Sequence, residues 1–499
     1  MLKAQQISLD PYFGQGGIAS FDPTPGLDRI IAAFPLSNGK IVVGYLIGDE
    51  TDTAYYGAAR FNQDGSIDND FGTNGLANAF EYTGYSYAMD MALQPDGKIV
   101  VGGANGFEYS VVRLMPDGTP DPSFGNAGKV TYEFGGSAMF TFTLKIRKSG
   151  AILLNTETDI GIKRAMIQLK PNGSIDSSFA DNGTLIPKPD NMYGYNWPNM
   201  MELADEKIVF VGRQPSWPYK TTARRYFPDG SLDTTFVSLD SSSVTVIGEN
   251  RILDVQSTKS GHILAAGYTN NPQGFDYGTI VKYKPNGEVD SSFGGGKGHV
   301  LLAIGNYYTI IAFAGETPEG KILAGGSSVD STGSYILLVQ LDSLGNPDTL
   351  FGDHGIVRTQ RNGLSSYGRA RILYENGKIL VAGSTRSADF TTSSFTLAQF
   401  YPSDQLSIST EKKLHDIGVY PNPSAQAFTL KYHLSEATTL TVILKDILGR
   451  ELKTLSPSSL QSAGDHLEIF QWPVELTPQL YLLEIRTNEG SETIKIMQF

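Results

Sequence analysis

The 499-residue chain contains no cysteine. Disulfides and thiolate metal sites are therefore excluded, and packing alone must hold the fold. Histidine is nearly as scarce: His262, His299, His354, His415, His433 and His466 are the only six, and none falls at metal-ligand spacing. Positive charge is also short, with 39 Lys and Arg against 52 Asp and Glu and a formal charge of -13. That balance disfavours a phosphate-binding surface, so nucleic acid is not an expected partner. No apolar run approaches the ~18 residues of a membrane-spanning helix, and no transmembrane segment is expected. A Gly-x-Ser-x-Gly nucleophile elbow is missing as well. The first residues, Met1-Leu-Lys-Ala-Gln-Gln-Ile7, hold no apolar core of signal-peptide length. Either the chain is cytoplasmic or a leader has been trimmed, and its far end decides between these.

Glycine, at 55 residues, is abundant while apolar residues stay at 40%. Many tight turns in a packed protein explain both figures better than disorder. The stretch from Met91 to Val130 shows the pattern. Pro95-Asp-Gly-Lys98 leads into Ile99-Val-Val-Gly-Gly103, and Pro116-Asp-Gly118 follows Ser110-Val-Val-Arg-Leu-Met115. Asp121-Pro-Ser-Phe-Gly125 comes next. Pro, Asp and Gly suit successive positions of hairpin turns between apolar, β-branched runs. Asp121 can accept hydrogen bonds from nearby backbone N–H groups, and Phe124 is a large apolar wedge.

This unit repeats. Its Phe recurs at Phe13, Phe71, Phe124, Phe179, Phe236, Phe293 and Phe351, at intervals of 53 to 58 residues. The Gly-Lys-Ile element recurs independently at Ile41, Ile99, Ile152, Ile208, Ile263, Ile322 and Ile379. Some copies have decayed: Glu206 replaces a turn Gly, while Ala180 and Val237 replace the Gly after Phe. One period holds four candidate strands, near Lys129–Phe134, Phe140–Ile146, Ala151–Asn155 and Met166–Leu169. Seven such units predict an all-β fold, a seven-bladed β-propeller over residues 9–404. Unalternated runs such as Ile379-Leu-Val-Ala382 suit strands covered on both faces. The last copy lacks its own Asp-x-x-Phe element and Leu9-Asp-Pro-Tyr-Phe-Gly14 is spare, so the N-terminal segment is expected between the seventh and first blades. Which strand is innermost stays open.

Strand alternation places both repeated turns on one face of the disc. The opposite face carries the variable loops, where function is expected. There Tyr193, Tyr195 and Trp197 fall in one loop of the fourth repeat, and Trp217 and Tyr219 in the other. These five are the candidate ligand-binding residues, an aromatic platform for sugar rings or for a protein partner.

Ser231-Leu-Asp-Thr-Thr-Phe236 and Ser66-Ile-Asp-Asn-Asp-Phe-Gly72 resemble the hallmark of the delta-60 repeat, a propeller-forming family. Residues 1–8 remain as an N-terminal segment and 405–416 read as a polar linker. Residues 417–499 alternate at period two, as in Phe428-Thr-Leu-Lys-Tyr432, and predict a small Ig-like β-sandwich. Val419-Tyr-Pro-Asn-Pro423, Asp446-Ile-Leu-Gly-Arg-Glu451 and Leu480-Tyr-Leu-Leu-Glu-Ile485 resemble the type A sorting domain of type IX secretion in Bacteroidetes-type bacteria. Where that family usually has Gly before the late Tyr, Gln479 and Leu480 stand here. The resemblance assigns the sorting signal to Tyr420, Pro421, Asn422, Pro423, Gly449, Arg450, Tyr481 and Lys495. It implies the type IX machinery as a partner, export through the periplasm to the outer-membrane surface or the medium, and a leader removed before Ala4-Gln-Gln6.

Other motifs read as scaffold. Gly315-Glu-Thr-Pro-Glu-Gly-Lys321 matches most of a phosphate-binding loop, but Ile322 stands where Ser or Thr should hold Mg²⁺, and the segment aligns with the other Gly-Lys-Ile turns. The recurrent Asp at 10, 68, 121, 176, 233, 290 and 348 suits turn capping better than calcium, although Asp68-Asn69-Asp70 comes nearest to a calcium loop. No metal, cofactor or catalytic residue is expected. The expected function is an exported binding or adhesion propeller recognising a carbohydrate or protein. The alternative is a secreted hydrolase or lyase working at the central channel, since propellers host both.

Overall fold

The computed structural model describes residues 7–48, 54–82, 89–105, 108–133, 142–158, 163–186, 199–213, 220–237, 244–245, 250–270, 274–374, 376–402, 414–434, 437–446, 450–474, 476, 479–487 and 490–498. Among these residues all regular structure is β, without a helix. The chain divides into two compact units, Met1–Ser403 and Asp404–Phe499.

The first unit opens with β1 (Ile7–Leu9) and β2 (Ile18–Phe21). A sheet of β3 (Arg29–Pro35), β4 (Ile41–Ile47), β5 (Ala54–Phe61) and β6 (Leu76–Tyr82) follows. The second sheet comprises β7 (Met89–Leu93), β8 (Ile99–Asn105), β9 (Glu108–Leu114) and β10 (Lys129–Glu133). The third contains β11 (Phe142–Ile146), β12 (Ile152–Thr158), β13 (Lys163–Leu169) and β14 (Thr184–Leu185). The fourth contains β15 (Asn199–Glu202), β16 (Ile208–Arg213), β17 (Lys220–Tyr226) and β18 (Val244–Thr245). In the fifth are β19 (Asn250–Ser257), β20 (Ile263–Asn270), β21 (Asp276–Tyr283) and β22 (His299–Leu302). The sixth has β23 (Tyr308–Glu316), β24 (Ile322–Asp330), β25 (Gly333–Leu341) and β26 (Ile356–Thr359), joined to the fifth by one parallel bridge, Asp276 to Tyr308. Last come β27 (Ser366–Leu373), β28 (Ile379–Arg386) and β29 (Ser393–Pro402), whose outer edge is completed from the chain's beginning. There β1 pairs Ile7 with Pro402 and β2 pairs Ile18 with Ala398.

The first strands of the sheets, β3, β7, β11, β15, β19, β23 and β27, pack against one another in that cyclic order, and β27 returns to β3. This arrangement is a β-propeller, and the innermost strand is the one before each Gly-Lys-Ile turn. The repeat and the sheet are out of phase by one strand. Lys129–Glu133, the first strand of a sequence period, is the outer strand of the preceding sheet, paired with β9. Unalternated strands such as β4, buried throughout, are explained by neighbouring sheets on both faces.

The seven Phe residues are all buried, with Phe236 the most exposed at 5%. Phe124 packs with Val100 and Val111 of its own sheet and with Leu144, Ile152 and Ile167 of the next. The backbone just after each Phe adds a second tie. Gly72 N–H donates to Asp117 O (2.8 Å), Gly125 to Asn172 O (2.9 Å), Ala180 to Asp229 O (2.7 Å), Val237 to Asn286 O (3.1 Å) and Gly294 to Leu344 O (2.8 Å). Gly14 donates to Asp64 O at 2.8 Å, so the N-terminal element makes the same bond to the first sheet. Gly173 shows why this turn needs glycine. Its φ is +90°, and a Cβ there would come within 2.9 Å of the Phe124 ring. Decayed copies keep the backbone: Ala180 and Glu206 hold φ values of 46° and 64°.

The recurrent Asp is both a cap and a charge node. Asp121 Oδ1 accepts from Ser123 N (2.9 Å), while its Oδ2 faces Lys98 Nζ (3.1 Å) and Arg113 Nε (2.8 Å). Lys98 is the Lys of the Gly-Lys-Ile turn, so the two repeated motifs meet through a salt bridge. Arg113 also stacks 4.8 Å from the Phe124 centroid and donates to Pro171 O of the next sheet. Lys40 and Arg60 hold Asp68 in the same way, Lys207 and Arg225 hold Asp233, and Lys378 and Gln399 hold Asp10. In the third sheet Ala151 follows the turn glycine and Gln168 replaces the arginine. Arg147 substitutes from the inner strand's end, donating to Gln168 Oε1 (2.6 Å), and Gln168 in turn donates to Asp176 Oδ2 (2.7 Å). Asp68, in the loop nearest to a calcium pattern, has its Oδ2 occupied by two cations. Lys321, of the phosphate-loop-like segment, pairs with Asp348 at 2.6 Å.

The second unit has β30 (Leu414–Tyr420), β31 (Ala427–Leu434), β32 (Thr438–Lys445), β33 (Glu451–Gln461), β34 (Gly464–Gln471), β35 (Leu480–Thr487) and β36 (Gly490–Met497). They form sheets β30-β31-β34 and β33-β32-β35-β36. Phe428, Leu430, Tyr432, Val442, Trp472, Tyr481 and Leu483 share one core between them.

Two measurements check this architecture. Phe13 is 1% exposed among Ile41, Phe61, Leu380 and Phe395, residues of the first and seventh sheets. Phe13→Ala should destabilise the first unit by about 3–5 kcal/mol in denaturant unfolding. An unchanged transition would place the N-terminal element outside the ring. The second check is acid unfolding. Burial alone would raise the Asp233 carboxyl from 3.8, but hydrogen bonds from Thr235 and Arg225 outweigh it and hold the group at about 2. A lowered folded value means that the unfolded chain takes the proton first. This contribution is complete above about pH 4 and lost as pH falls towards 2. Asp233→Asn should flatten the acid limb of stability in that window, and an unaltered limb would remove the node from the stability argument.

Candidate functional site

The Pro-Asp-Gly turns occupy one face of the propeller, and the loops entering the inner strands occupy the other. On the loop face of the first, sixth and seventh sheets a residue at the start of the inner strand, or just before it, anchors its own loop. Asp28, before β3, accepts from Thr24 Oγ1 (2.7 Å), Thr24 N (3.2 Å) and Gly48 N (3.2 Å). Burial pushes its carboxyl up to about 6 against those hydrogen bonds. Thr309 Oγ1 accepts from Ile304 N and Gly305 N, both at 3.0 Å, and Ser366 Oγ accepts from Arg361 N at 3.0 Å. All three side chains are buried. These three loops are thus fixed in place, as a preorganised site requires.

One residue further along the inner strands stand Arg29, Arg251, Ile310 and Tyr367, each opposite the fifth residue after its turn Ile. Each strand then carries a β-bulge, at Ile31, Leu253, Ala312 and Arg369. A bulge re-aims its side chain. Arg369 is reached by solvent, yet burial and the charge of Arg29 both lower its pKa. The guanidinium stays cationic at any physiological pH. Arg251 donates to the Tyr268 hydroxyl at 2.9 Å and lies 5.6 Å from its ring centroid. Burial raises the Tyr268 hydroxyl, while Arg251 and Arg369 both act to lower it and Asp276 to raise it. Arg29 and Arg251 thus share one position near the loop-face ends of their inner strands, and Arg369 stands two residues further along in the seventh sheet.

Deeper in the ring, polar side chains tie neighbouring inner strands together. Asp90 accepts from Leu144 N (2.9 Å) and lies 4.0 Å from Lys145 Nζ. Asp254 accepts from Ala314 N (3.1 Å), and Asn199 donates to Leu253 O (2.7 Å). Burial raises the Asp90 carboxyl, with Lys145 and two backbone N–H groups opposing.

Beside Arg251 and Tyr268 the loop face is aromatic. Phe275, Tyr307 and Tyr308 are 36%, 45% and 43% exposed, and the Phe275 and Tyr307 rings lie 6.3 Å apart. The five aromatics expected to bind ligand, Tyr193, Tyr195, Trp197, Trp217 and Tyr219, fall at 187–198 and 214–219, outside the described residues. Sequence reading missed the arginines and this second aromatic group. Aligning the repeats on Gly-Lys-Ile would have exposed them, because Arg369 and Arg251 stand where other copies carry Ala312 and Ile310.

In the second unit several of the residues expected to carry the sorting signal tie strands together. Both Tyr420-Pro421 and Asn422-Pro423 are cis. Asn422 Nδ2 donates to Lys495 O and its Oδ1 accepts from Met497 N, both at 2.8 Å, which pins the motif to β36. Arg450 closes its turn on Asp446 at 2.6 Å, and Tyr481 is buried against Trp472 at 5.5 Å between centroids. Gly449 lies outside the described residues.

These features define a propeller with arginines on its inner strands, attached to a β unit that bears a sorting motif. Residues 94–124, 203–236, 258–293 and 317–351 match the family described as "Domain of unknown function (DUF5122) beta-propeller". Residues 418–498 match "Secretion system C-terminal sorting domain". The chain carries delta-60-like propeller repeats and a type IX sorting tail, and it is secreted or displayed at the cell surface. No curated protein matches it in sequence. Among solved structures it is similar to polysaccharide lyase Uly1, at 14% identity over 78% of this chain and 93% of that one, with a TM-score of 0.44. The β-propeller domain of the Trilobed protease from Pyrococcus furiosus, described as having an open velcro topology, matches at 11% identity over 75% and 97%, with a TM-score of 0.39. Neither likeness bears on activity. Among the described residues no helix is long and apolar enough to cross a membrane.

In a host with type IX secretion, a chain ending at Asp404 should fold but stay behind the outer membrane. Equal recovery of shortened and full-length chains outside the cell would show that the tail does not direct export.

Proposed function

We propose that this protein is an exported, non-catalytic binding propeller that recognises carbohydrate on its loop face. The observation that carries this reading is the exposed group of Phe275, Tyr307 and Tyr308 next to the Arg251–Tyr268 pair. Flat aromatic faces stack on sugar rings, and the anchored loops beneath them keep the ordering cost of binding low. The segments joining β14 to β15 and β16 to β17 carry Tyr193, Tyr195, Trp197, Trp217 and Tyr219, and we extend the proposed ligand face to them. Binding is favoured over catalysis because Asp90 and Asp254 each accept a backbone N–H from a neighbouring inner strand, which is a scaffold role.

Each stacked ring contributes on the order of 1 kcal/mol, so single-site binding should be weak and multivalent display effective. A glycan array probed with wild type and with Tyr307→Ala/Tyr308→Ala should show at least one glycan bound by the first and about tenfold less by the second. Equal binding by both proteins would remove the site assignment. Release of shorter saccharides from a bound glycan would replace binding by catalysis.

A further inference from the structure

The propeller contains its own control experiment for the arginines. At the inner-strand position where the first and fifth sheets carry Arg29 and Arg251, the sixth and seventh carry Ile310 and Tyr367. At the bulge, Ile31, Leu253 and Ala312 stand where the seventh sheet has Arg369. The same backbone is therefore built with neutral residues, and the fold does not require these cations. Arg369 forms no hydrogen bond or ion pair among the described residues. Burial and the like charge of Arg29 both disfavour its charged form, with Tyr268 and Tyr367 opposing. Concentrating cations here also runs against a chain charge of -13.

We propose that Arg29, Arg251 and Arg369 form an anion site at the channel mouth that takes the carboxylate or sulfate groups of an acidic polysaccharide. The inference rests on the carbohydrate-binding reading above and adds the charge of the ligand. Guanidinium forks match carboxylate and sulfate oxygens in paired hydrogen bonds. The mutual repulsion of Arg29 and Arg369 is relieved when an anion sits between them. Tyr268, held by Arg251, and the Phe275–Tyr307–Tyr308 group place flat faces beside the charges. An acidic sugar has both a ring face and an anionic edge, which a polyphosphate or an acidic peptide lacks. Nucleic acid would instead need an extended basic track. Asp276, beside Phe275, carries the opposite charge and interacts with Arg251.

The full-length chain would be titrated by calorimetry with oligogalacturonate, dextran sulfate, neutral dextran and polyglutamate at two salt concentrations. The test variants copy the protein's own sixth sheet: Arg369→Ala and Arg251→Ile, with Arg369→Lys as the conservative change. Oligogalacturonate or dextran sulfate should bind, more weakly at high salt, and neutral dextran and polyglutamate should not. Each neutralising variant should weaken binding at least about tenfold, the effect of one charged hydrogen bond, with unchanged thermal unfolding. Arg369→Lys should retain part of the affinity. Which of the two anionic glycans binds tells carboxylate from sulfate. Equal affinity in the variants, or equal binding of polyglutamate, overturns the proposal. Binding of the neutral glycan alone, lost in Tyr307→Ala/Tyr308→Ala, overturns the anion site and leaves the carbohydrate reading intact. No binding to any glycan by any of these proteins sinks both.

Discussion

A buried aspartate between two cations, backed by a phenylalanine wedge, is the contact on which the propeller depends. In the second sheet Asp121 gathers Lys98 and Arg113, and Arg113 continues over the Phe124 ring to a carbonyl of the third sheet. One ion network thus fixes the turn, orients the wedge and reaches the neighbouring blade. A buried ion pair contributes little net stability over an apolar substitute, because desolvation offsets attraction. Its value here is direction: the cation has one place to point, and the wedge beneath it has one place to pack. Where the cation is lost, as at Gln168, Arg147 restores the link from a different strand. The network is preserved even when its residues are not.

The repeated architecture separates scaffold from function in a way a single domain does not. Features found in most blades, such as the wedge and the node, belong to the ring. Features found in one or two blades have to be explained by something else. Arg369 and Arg251 fall in the second class, as do the exposed aromatics of the fifth and sixth sheets. Even the decayed turn at Glu206, held at positive φ, is informative. Neighbouring packing imposes the backbone there, at the energetic cost that glycine elsewhere avoids.

Much of the fold was legible in the sequence because its determinants are local. A turn Gly and a Phe are read off one residue at a time, and seven copies identify the period. The closing role of Leu9 to Gly14 was visible because the last copy lacked that element. The innermost strand was not legible, since apolar residues occur in every strand of a blade and only packing order ranks them. The Lys–Asp pairing was hidden too, because its partners lie over twenty residues apart and meet only when the blade folds. The channel mouth escaped for the same reason. Arg29, Arg251 and Arg369 come from three sheets, and Arg369 sits on a bulge of one residue that sequence does not reveal. Strand direction leads one to expect the predicted aromatic loops on the face that carries the observed aromatic group, but the choice between them depends on side-chain placement, which sequence does not give.

The pairing of β1 and β2 with β29 has a kinetic meaning. Every other blade is assembled from contiguous residues, so it can form as soon as its own segment is available. The closing contact is different: Gln399 reaches Asp10 across 389 positions of sequence. By loop-closure entropy, this join costs only about 2 kcal/mol more than one spanning a single repeat. Its burden is in time, because Ile7 cannot find Pro402 until the last blade has emerged. Until β1 and β2 then dock on it, the seventh blade has an open edge, ready to pair with any strand it meets. A ring sealed by its two ends is therefore vulnerable twice, while it is being made and whenever the clasp opens, and at both moments the exposed edge is the same.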